Sequence, residues 1–182
     1  MTLSIISILL ISAALLLAAM VIVPVFFGSP WHPTSKKMVR RILEFCEPEA
    51  GQVLIDPGSG DGRVLVIGAK EFGLRGIGLE IDPLKVFWSR WNVRRAGLTD
   101  RVSILHHNLF DFDYREADIL FLYLTHQALD KLIPKIREQL KPTVKIVSYR
   151  FCIQGMTPDK VNTDRTLFLY TLNRGQNLDS FS

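Results

Sequence analysis

A glycine-rich turn directly follows an apolar run near the middle of this 182-residue chain. The run is Val53–Ile55, and residues 56–63 read Asp-Pro-Gly-Ser-Gly-Asp-Gly-Arg. Glycines let the backbone adopt positive φ and approach a ligand closely, and a helix that follows such a turn offers unpaired N–H groups and its positive dipole end. The stretch therefore predicts a strand, a turn and a helix start that together cradle a nucleotide-containing cofactor.

The spacing of the glycines selects among nucleotide cofactors. A dinucleotide fingerprint, Gly-x-Gly-x-x-Gly/Ala, needs a small residue at its third position, where this chain has Arg63. The observed pattern, acidic-x-Gly-x-Gly-x-Gly, resembles motif I of class I methyltransferases, which use S-adenosyl-L-methionine. This resemblance implies cofactor contacts from the following residues of the turn: Asp56, Gly58, Ser59, Gly60, Asp61 and Gly62.

Polar residues also follow the next two predicted strands. Glu80 ends an apolar stretch 22 residues after Gly58, and a carboxylate there can accept hydrogen bonds from both ribose hydroxyls. Asn108, with Leu109 beside it, follows the strand 102–105, where class I methyltransferases usually place a polar side chain against the adenine amino group. The amide oxygen of Asn108 can fill that role. The alternatives are a solvated strand end for Glu80 and a turn former for Asn108.

Strand and helix patterns alternate along the rest of the chain. Helices are predicted over about 34–47, 63–72, 83–96 and 127–140, and strands over 53–55, 74–80, 102–105, 118–124, 144–150 and 166–172. This alternation predicts an α/β fold, a mostly parallel doubly wound sheet of Rossmann-like class I methyltransferase type that ends in an antiparallel hairpin. Residues 28–182 are predicted to form one domain, with a mobile tail over 173–182.

The first 35 residues contain no Asp, Glu, Lys or Arg. Within them, Leu3–Phe27 is long enough, at about 1.5 Å per residue, to cross a hydrocarbon core of about 30 Å. Basic residues cluster over 36–41, so the positive-inside rule predicts a single-pass anchor with the C-terminal domain in the cytoplasm, at a bacterial inner membrane or its equivalent. The alternatives are a cleaved signal peptide, which usually has a basic start that this chain lacks, and a hydrophobic arm on a soluble domain.

Composition argues against metal and nucleic-acid sites. The net charge of +4 is modest and lies partly beside the predicted anchor, so we expect no nucleic-acid partner. Cys46 and Cys152 show no metal-ligand or disulfide spacing. His106 and His107 are adjacent, so on a strand they point to opposite faces. No metal site is predicted.

The segments 31–35, 56–63, 78–83, 108–110 and 122–125 together resemble the small protein-lysine methyltransferases of archaea and mitochondria. The mitochondrial members also carry a hydrophobic N-terminal segment, and they act on lysines of ATP synthase subunit c and of the adenine nucleotide translocase. The resemblance spans about residues 30–172. It implies that Trp31, Pro33 and Thr34 close over the cofactor and the acceptor.

The acceptor is predicted from the segment after the fourth strand. Enzymes that methylate amide or adenine nitrogens often have Asn/Asp-Pro-Pro-aromatic there, whereas this chain has Leu-Tyr-Leu-Thr over 122–125. Tyr123 is the candidate acceptor-channel residue, because an aromatic face with a hydroxyl can guide a lysine ammonium; core packing is its alternative role. We therefore expect a membrane-anchored methyltransferase acting on protein lysines. The alternatives are a methyltransferase for a quinone or lipid precursor and a non-catalytic cofactor-binding module.

Overall fold

The computed structural model of this chain describes residues 4–14 and 34–172. Contacts divide the chain into two units, Met1–His32 and Pro33–Ser182. Residues 4–14 are helical (α1). Within the described ranges, no helix combines the length and the apolar character that crossing a membrane requires. The predicted membrane span over 3–27 lies partly outside these ranges. The predicted tail over 173–182 lies entirely outside them.

The described part of the second unit, residues 34–172, contains four helices and seven strands. In chain order they are α2 Lys36–Cys46, β1 Val53–Pro57, α3 Arg63–Phe72, β2 Arg75–Glu80, α4 Pro83–Arg95, β3 Val102–His106, β4 Ile119–Leu122, α5 His126–Gln139, β5 Lys145–Tyr149, β6 Lys160–Val161 and β7 Leu167–Thr171. The strands form one sheet in the order β3-β2-β1-β4-β5-β7-β6. The first five are parallel, and β7 runs antiparallel to β5 and β6. The predicted Rossmann-like α/β fold and its antiparallel C-terminal end are confirmed.

The centre of the sheet is the apolar run that precedes the glycine-rich turn. β1 is flanked by β2 on one side and β4 on the other, so Leu54 and Ile55 are fully buried. The strand order reverses between these two neighbours, and ligands of open α/β sheets bind beyond the carboxyl ends of the strands at such a point. The turn over 56–63 therefore begins at the place where this fold forms a ligand cleft.

Apolar side chains cover both faces of the sheet in two core clusters. One cluster combines buried side chains of α2, α3 and α4 with the sheet, and the other is built on α5. Gly78 in β2 permits close packing, because a Cβ atom there would lie 2.7 Å from Leu65 Cδ1 and 2.7 Å from Ser59 Oγ. Packing of the glycine-rich turn and α3 against β2 thus depends on the absence of a side chain at position 78.

Helix starts coincide with capping residues. Ser35, one of the two predicted caps of α2, accepts a hydrogen bond from Met38 N at 3.2 Å. Asp82 caps α4 through Leu84 N, and Thr125 caps α5 through Ala128 N. Helix α3 has the predicted bounds, and the other predicted elements differ from the observed ones by a few residues at their ends. The two-residue strand β6 was not predicted.

Candidate active site

The glycine-rich turn is held against the end of β2 by its own backbone. Gly58, Gly60 and Gly62 have φ of 87°, 55° and 76°, a region that side-chain-bearing residues rarely adopt. This conformation lets Gly58 N and Ser59 N donate to the same acceptor, Leu79 O, at 2.7 and 2.9 Å. The turn is therefore a fixed structure that connects the carboxyl ends of two neighbouring strands.

Glu80 completes that connection from the tip of β2. Its side chain is buried, and Oε2 accepts from Gly60 N at 3.0 Å. Oε1 accepts from Ile81 N and Asp82 N at 2.9 and 3.0 Å. A carboxylate has about four acceptor positions, and the three hydrogen bonds leave Oε2 able to accept another donor. Glu80 therefore lies at the tip of β2, as predicted, with capacity to accept a hydrogen bond from a ligand hydroxyl.

Asp56 is a buried acid at the carboxyl end of β1. Its side chain has no hydrogen-bond or ion-pair partner in the portion of the chain that the structure describes. Burial raises the pKa of Asp56 to about 8, and the nearby negative charges of Glu80 and Asp61 act in the same direction. Because a cation beside this carboxyl would lower its pKa, the site suits a ligand that carries positive charge.

Asp61 is paired within the turn. Arg63 places Nε 2.9 Å from each carboxylate oxygen of Asp61, and its Nη1 donates to Thr34 O at 2.8 Å. Asn92 of α4 donates to Asp61 O at 3.0 Å. Arg63 thus joins the turn to the segment that precedes α2. In the sequence, Arg63 serves to exclude a dinucleotide fingerprint, and this contact was not predicted. Thr34 is half-buried there, whereas the predicted closing residues Trp31 and Pro33 lie outside the described residues.

The Ser59 side chain lies against Gly78 of β2. Its Oγ is completely screened from solvent and has no hydrogen-bond partner among the described residues. The same atom lies 2.7 Å from the position that a Cβ of Gly78 would occupy. Ser59 is therefore packed against β2, and its own contribution at the turn comes from its backbone.

Asn108 and Leu109 form a tight turn after β3. Asn108 Oδ1 accepts from Phe110 N at 3.0 Å, which is the turn-forming role given above as its alternative. Leu109 O accepts from the Tyr114 hydroxyl at 2.6 Å. His106 Nε2 lies 2.9 Å from Ile81 O, so the carboxyl ends of β2 and β3 are joined. Asn108 Oδ1 retains one acceptor position for another donor.

Aromatic side chains gather at the carboxyl ends of β4 and β5. The Tyr123 ring lies 4.8 Å from the Tyr149 ring and 6.4 Å from the Phe151 ring, between centroids. The exposed Arg150 places its guanidinium 5.4 Å from the Tyr149 centroid and 6.0 Å from that of Tyr123. His126 packs edge-on against Phe151 at 4.9 Å. Tyr123 is thus half-buried, and its ring shares in both the core and this surface cluster.

Only one member of this cluster was predicted from the sequence. Tyr149, Arg150 and Phe151 were assigned only to a strand and its end, because they contact Tyr123 through strand pairing across 26 residues of chain. An aromatic-rich strand end is the only signal that the sequence offered. Within the described residues, no group of three or more His, Cys, Asp or Glu side chains is arranged to hold a metal ion.

Comparison with known sequences identifies the family. The family model described as "ANTKMT methyltransferase domain" matches residues 56–160. A protein-lysine N-methyltransferase of Saccharolobus islandicus is 33% identical over 150 residues, which is 79% of this chain and 93% of the relative. An adenine nucleotide translocase lysine N-methyltransferase of Mus musculus is 30% identical over 147 residues, 79% of this chain. The match covers 63% of that mouse protein, so this chain spans less than two thirds of its length.

Comparison with solved structures identifies the cofactor. A crystal structure described as an RNA methyltransferase from Salinibacter ruber in complex with S-adenosyl-L-homocysteine aligns with a TM-score of 0.79 and 37% identity, over 83% of this chain and 100% of the other. A methyltransferase from Thiobacillus denitrificans, also with S-adenosyl-L-homocysteine, shares the fold at a TM-score of 0.55 and 18% identity, over 64% and 49% of the two chains. This chain belongs to the ANTKMT methyltransferase domain family and is a methyltransferase that uses S-adenosyl-L-methionine.

Proposed function

We propose that this methyltransferase modifies lysine side chains of proteins. The observation that carries the proposal is the position of Arg150, whose guanidinium lies over the rings of Tyr149 and Tyr123 at the carboxyl ends of β5 and β4. The faces of these rings attract cations, so a lysine ammonium would bind there in place of the exposed Arg150 guanidinium, because two adjacent cations repel each other. The names of the related lysine methyltransferases support the same acceptor.

The cofactor side has the residues that such an enzyme requires. The unpartnered, buried acid Asp56 suits the positively charged methionine end, together with the backbone of Gly58, Ser59, Gly60, Asp61 and Gly62. Glu80 would accept from the ribose hydroxyls, and Asn108 with Leu109 would contact the adenine. Trp31, Pro33 and Thr34 would close over the site. When bound, S-adenosyl-L-methionine supplies an electrophilic methyl group on a sulfonium.

The acceptor side must bind and align a lysine and exclude water. The faces of Tyr123 and Tyr149 would take the ammonium form, and the Tyr123 hydroxyl would accept a hydrogen bond from the nitrogen once a proton has left. Methyl transfer to an amine depends chiefly on alignment and desolvation. Tyr123 would therefore act by positioning the amine.

A second candidate function is RNA methylation, because the Salinibacter ruber neighbour is described as an RNA methyltransferase. Bases also stack on aromatic side chains. Two observations favour lysine instead. The segment over 122–125 lacks the polar Pro-Pro-aromatic motif that holds a planar base nitrogen. In addition, the buried carboxylate of Glu80 at the end of β2 would repel phosphates.

The test is incubation of the full chain with radiolabelled S-adenosyl-L-methionine and a cell extract that includes membranes. Protein, RNA and lipid are then separated by protease, ribonuclease and organic extraction. Label that resists ribonuclease and is found as methyl-lysine by mass spectrometry is the expected result. Label released by ribonuclease would assign the RNA function, and label in the organic phase would assign a quinone or lipid precursor. Gly60→Val protein is the blank for background labelling.

The proposal includes attachment to a membrane through residues 3–27, with the catalytic domain in the cytoplasm. Its support is the absence of charged residues before position 36 and the basic cluster over 36–41. Attachment would concentrate the enzyme near membrane-embedded substrates. Alkaline carbonate should leave the full chain in the membrane pellet, and protease added to the cytoplasmic side should degrade the domain. Release into the supernatant would contradict the anchor.

A further inference from the structure

Helix α4 exposes a large apolar surface to solvent. Phe87 is 72% exposed, Trp88 54% and Trp91 41%. Leu84 and the preceding Ile81 are also more than half exposed. One stripe along the helix contains Leu84, Phe87, Trp88 and Trp91, which follow i, i+3, i+4, i+7 spacing. We call this stripe, together with Ile81, the α4 outer face.

The opposite side of the same helix is already used. Val86, Ser89 and Val93 are buried against the sheet. A helix that is apolar on both sides is normally enclosed on both. Exposed apolar patches of this kind, rimmed by charged residues, mark interaction sites. The α4 outer face therefore requires an occupant that the described residues do not provide.

The charges around the α4 outer face are mostly basic. From Pro83 to Thr99 the chain contains Lys85, Arg90, Arg94 and Arg95 and no Asp or Glu. Arg95 lies over the Trp91 ring at 5.2 Å, and the two Trp rings are 5.2 Å apart. Lys85 is paired with Asp82 at the start of the helix. Arg94 and Arg95 lie in the last turn of the helix, after the two tryptophans in the chain.

We infer that the α4 outer face is a membrane-interface surface that binds anionic phospholipid. Trp side chains prefer the boundary between headgroups and acyl chains, and each basic residue near an anionic surface contributes attraction. A second copy of the chain suits this face less well, because a two-fold contact would bring two basic rims together. The uncharged apolar stretch that precedes residue 36 is a second, separate feature of this chain that suits a lipid environment.

The surface lies beside the cleft. Ile81 directly follows Glu80, and Asp82, which caps α4, donates its backbone N–H to the Glu80 carboxylate. Docking of α4 would therefore hold the carboxyl end of β2 at the boundary between water and lipid. If the proposed function holds, the enzyme would favour lysines that lie at that boundary. The lipid contact itself does not depend on which acceptor is methylated.

The test uses tryptophan fluorescence of the full chain. Trp31→Phe leaves Trp88 and Trp91 as the only tryptophans. The protein is mixed with phosphatidylcholine vesicles containing phosphatidylglycerol and phosphatidylcholine with brominated acyl chains, and the vesicle-bound fraction is isolated by flotation. Because only bound protein is measured, attachment through another part of the chain does not affect the readout. We expect strong quenching by the brominated chains and protection from acrylamide.

Two variants in the same background separate the α4 outer face from the rest of the molecule. Arg94→Glu with Arg95→Glu, and independently Phe87→Glu, should each reduce the quenching several-fold. The control variant, Arg115→Glu with Lys131→Glu, changes the net charge by the same amount at two exposed positions outside α4. Lys131 lies on α5, which packs in the other core cluster. This control should leave the quenching unchanged. Thermal unfolding monitored by circular dichroism confirms that each variant is folded.

Three outcomes would overturn the inference. In the first, bound protein shows no quenching by brominated lipid, or no protein floats with anionic vesicles. In the second, the tryptophans become protected from acrylamide with rising protein concentration and no lipid, which would assign the α4 outer face to a second copy. In the third, protection requires an added substrate protein, which would assign it to a protein partner.

Discussion

The proposed cofactor side and the proposed acceptor side of this cleft are built in different ways. On the cofactor side, the turn over 56–63 and the tip of β2 form a closed hydrogen-bond network in which Leu79 O and the Glu80 carboxylate receive five backbone N–H donors. On the proposed acceptor side, aromatic rings at the ends of the paired strands β4 and β5 contact one another beside an exposed arginine. The first region has a fixed geometry, whereas the second can adapt to its ligand.

This difference has a physical reason. A cofactor that all members of a family share can be met by a rigid backbone cradle, which loses little entropy on binding. An acceptor must enter and leave, and aromatic faces attract a cation without demanding a single hydrogen-bond geometry. We therefore expect each substitution on the proposed cofactor side to weaken cofactor binding through the whole hydrogen-bond network. Substitutions on the proposed acceptor side should instead change turnover and leave the cofactor affinity unchanged.

Gly60→Val should have the largest effect. Gly60 has φ of 55° and donates its N–H to Glu80, and a β-branched residue there would move the turn and obstruct the approach of a ligand. We expect the affinity for S-adenosyl-L-methionine to fall more than about 100-fold, or about 2.7 kcal/mol, in isothermal titration calorimetry. Gly97→Val is the control, because Gly97 has φ of 69° and an open surrounding. Equal losses in both variants would show that backbone strain alone is responsible.

Glu80→Ala should come next. It removes the acceptor of three N–H groups and the predicted ribose ligand together, so cofactor binding should weaken by about 1 to 3 kcal/mol. Glu80→Gln keeps one acceptor oxygen and should lose less. Glu71→Ala removes an exposed carboxylate paired with Arg40 and should leave the cofactor affinity unchanged. An unaltered dissociation constant in Glu80→Ala would remove Glu80 from the site.

Asp56 predicts a dependence of stability on pH. Burial raises the pKa of this carboxyl to about 8, compared with about 3.9 for an exposed Asp. Between those values the folded protein holds the proton more tightly than the unfolded chain does, so the free energy of unfolding contributed by Asp56 falls as the pH rises. The slope is at most about 1.4 kcal/mol per pH unit for one proton.

The measurement is urea unfolding of the ligand-free protein between about pH 5 and pH 8, a range that lies between the pKa of Asp56 in the unfolded chain and its pKa in the folded protein. Asp56→Asn cannot ionise and should flatten the decline, whereas Asp113→Asn, at an exposed position, should keep it. Saturating S-adenosyl-L-methionine should also flatten it, because its positive charge would stabilise the ionised carboxylate. A decline that is equally steep in Asp56→Asn would assign it to other groups.

The sequence predicted the elements that carry the candidate cofactor residues well because their determinants are local. The apolar run, the glycines and Glu80 lie within one strand-turn-helix-strand unit, and the bounds of α3 follow directly from it. It predicted Ser59 as a contact without revealing that its side chain packs against Gly78, since that depends on the separation of two strands. The contact of Arg63 with Thr34 was missed because it depends on how the chain before α2 packs against the turn, and the local pairing of Arg63 with Asp61 was not predicted either.

The aromatic cluster around Tyr123 was predicted poorly because its parts are distant in the chain. Tyr123 contacts Tyr149 and Phe151 because β4 pairs with β5. The sequence predicts that these two strands exist, but it does not predict which residues of one strand lie opposite which residues of the other. The tryptophans of α4 illustrate a related limit. Their helical spacing is that of a core-facing stripe, and only the observed burial of Val86 and Val93 shows that they face outward.

Tyr123→Phe should have the smallest effect and tests the acceptor side directly. The ring contacts with Tyr149 and Phe151 remain, so folding and cofactor affinity should be unchanged, while turnover on a lysine substrate falls by up to about tenfold through the loss of one hydrogen bond, about 1.4 kcal/mol. Tyr123→Leu also removes the cation-binding face and should raise KM in addition. Steady-state kinetics at saturating cofactor separates the two effects. If both variants retain the full kcat and KM, Tyr123 is a core residue, and the acceptor must bind elsewhere along the carboxyl ends of β4 and β5.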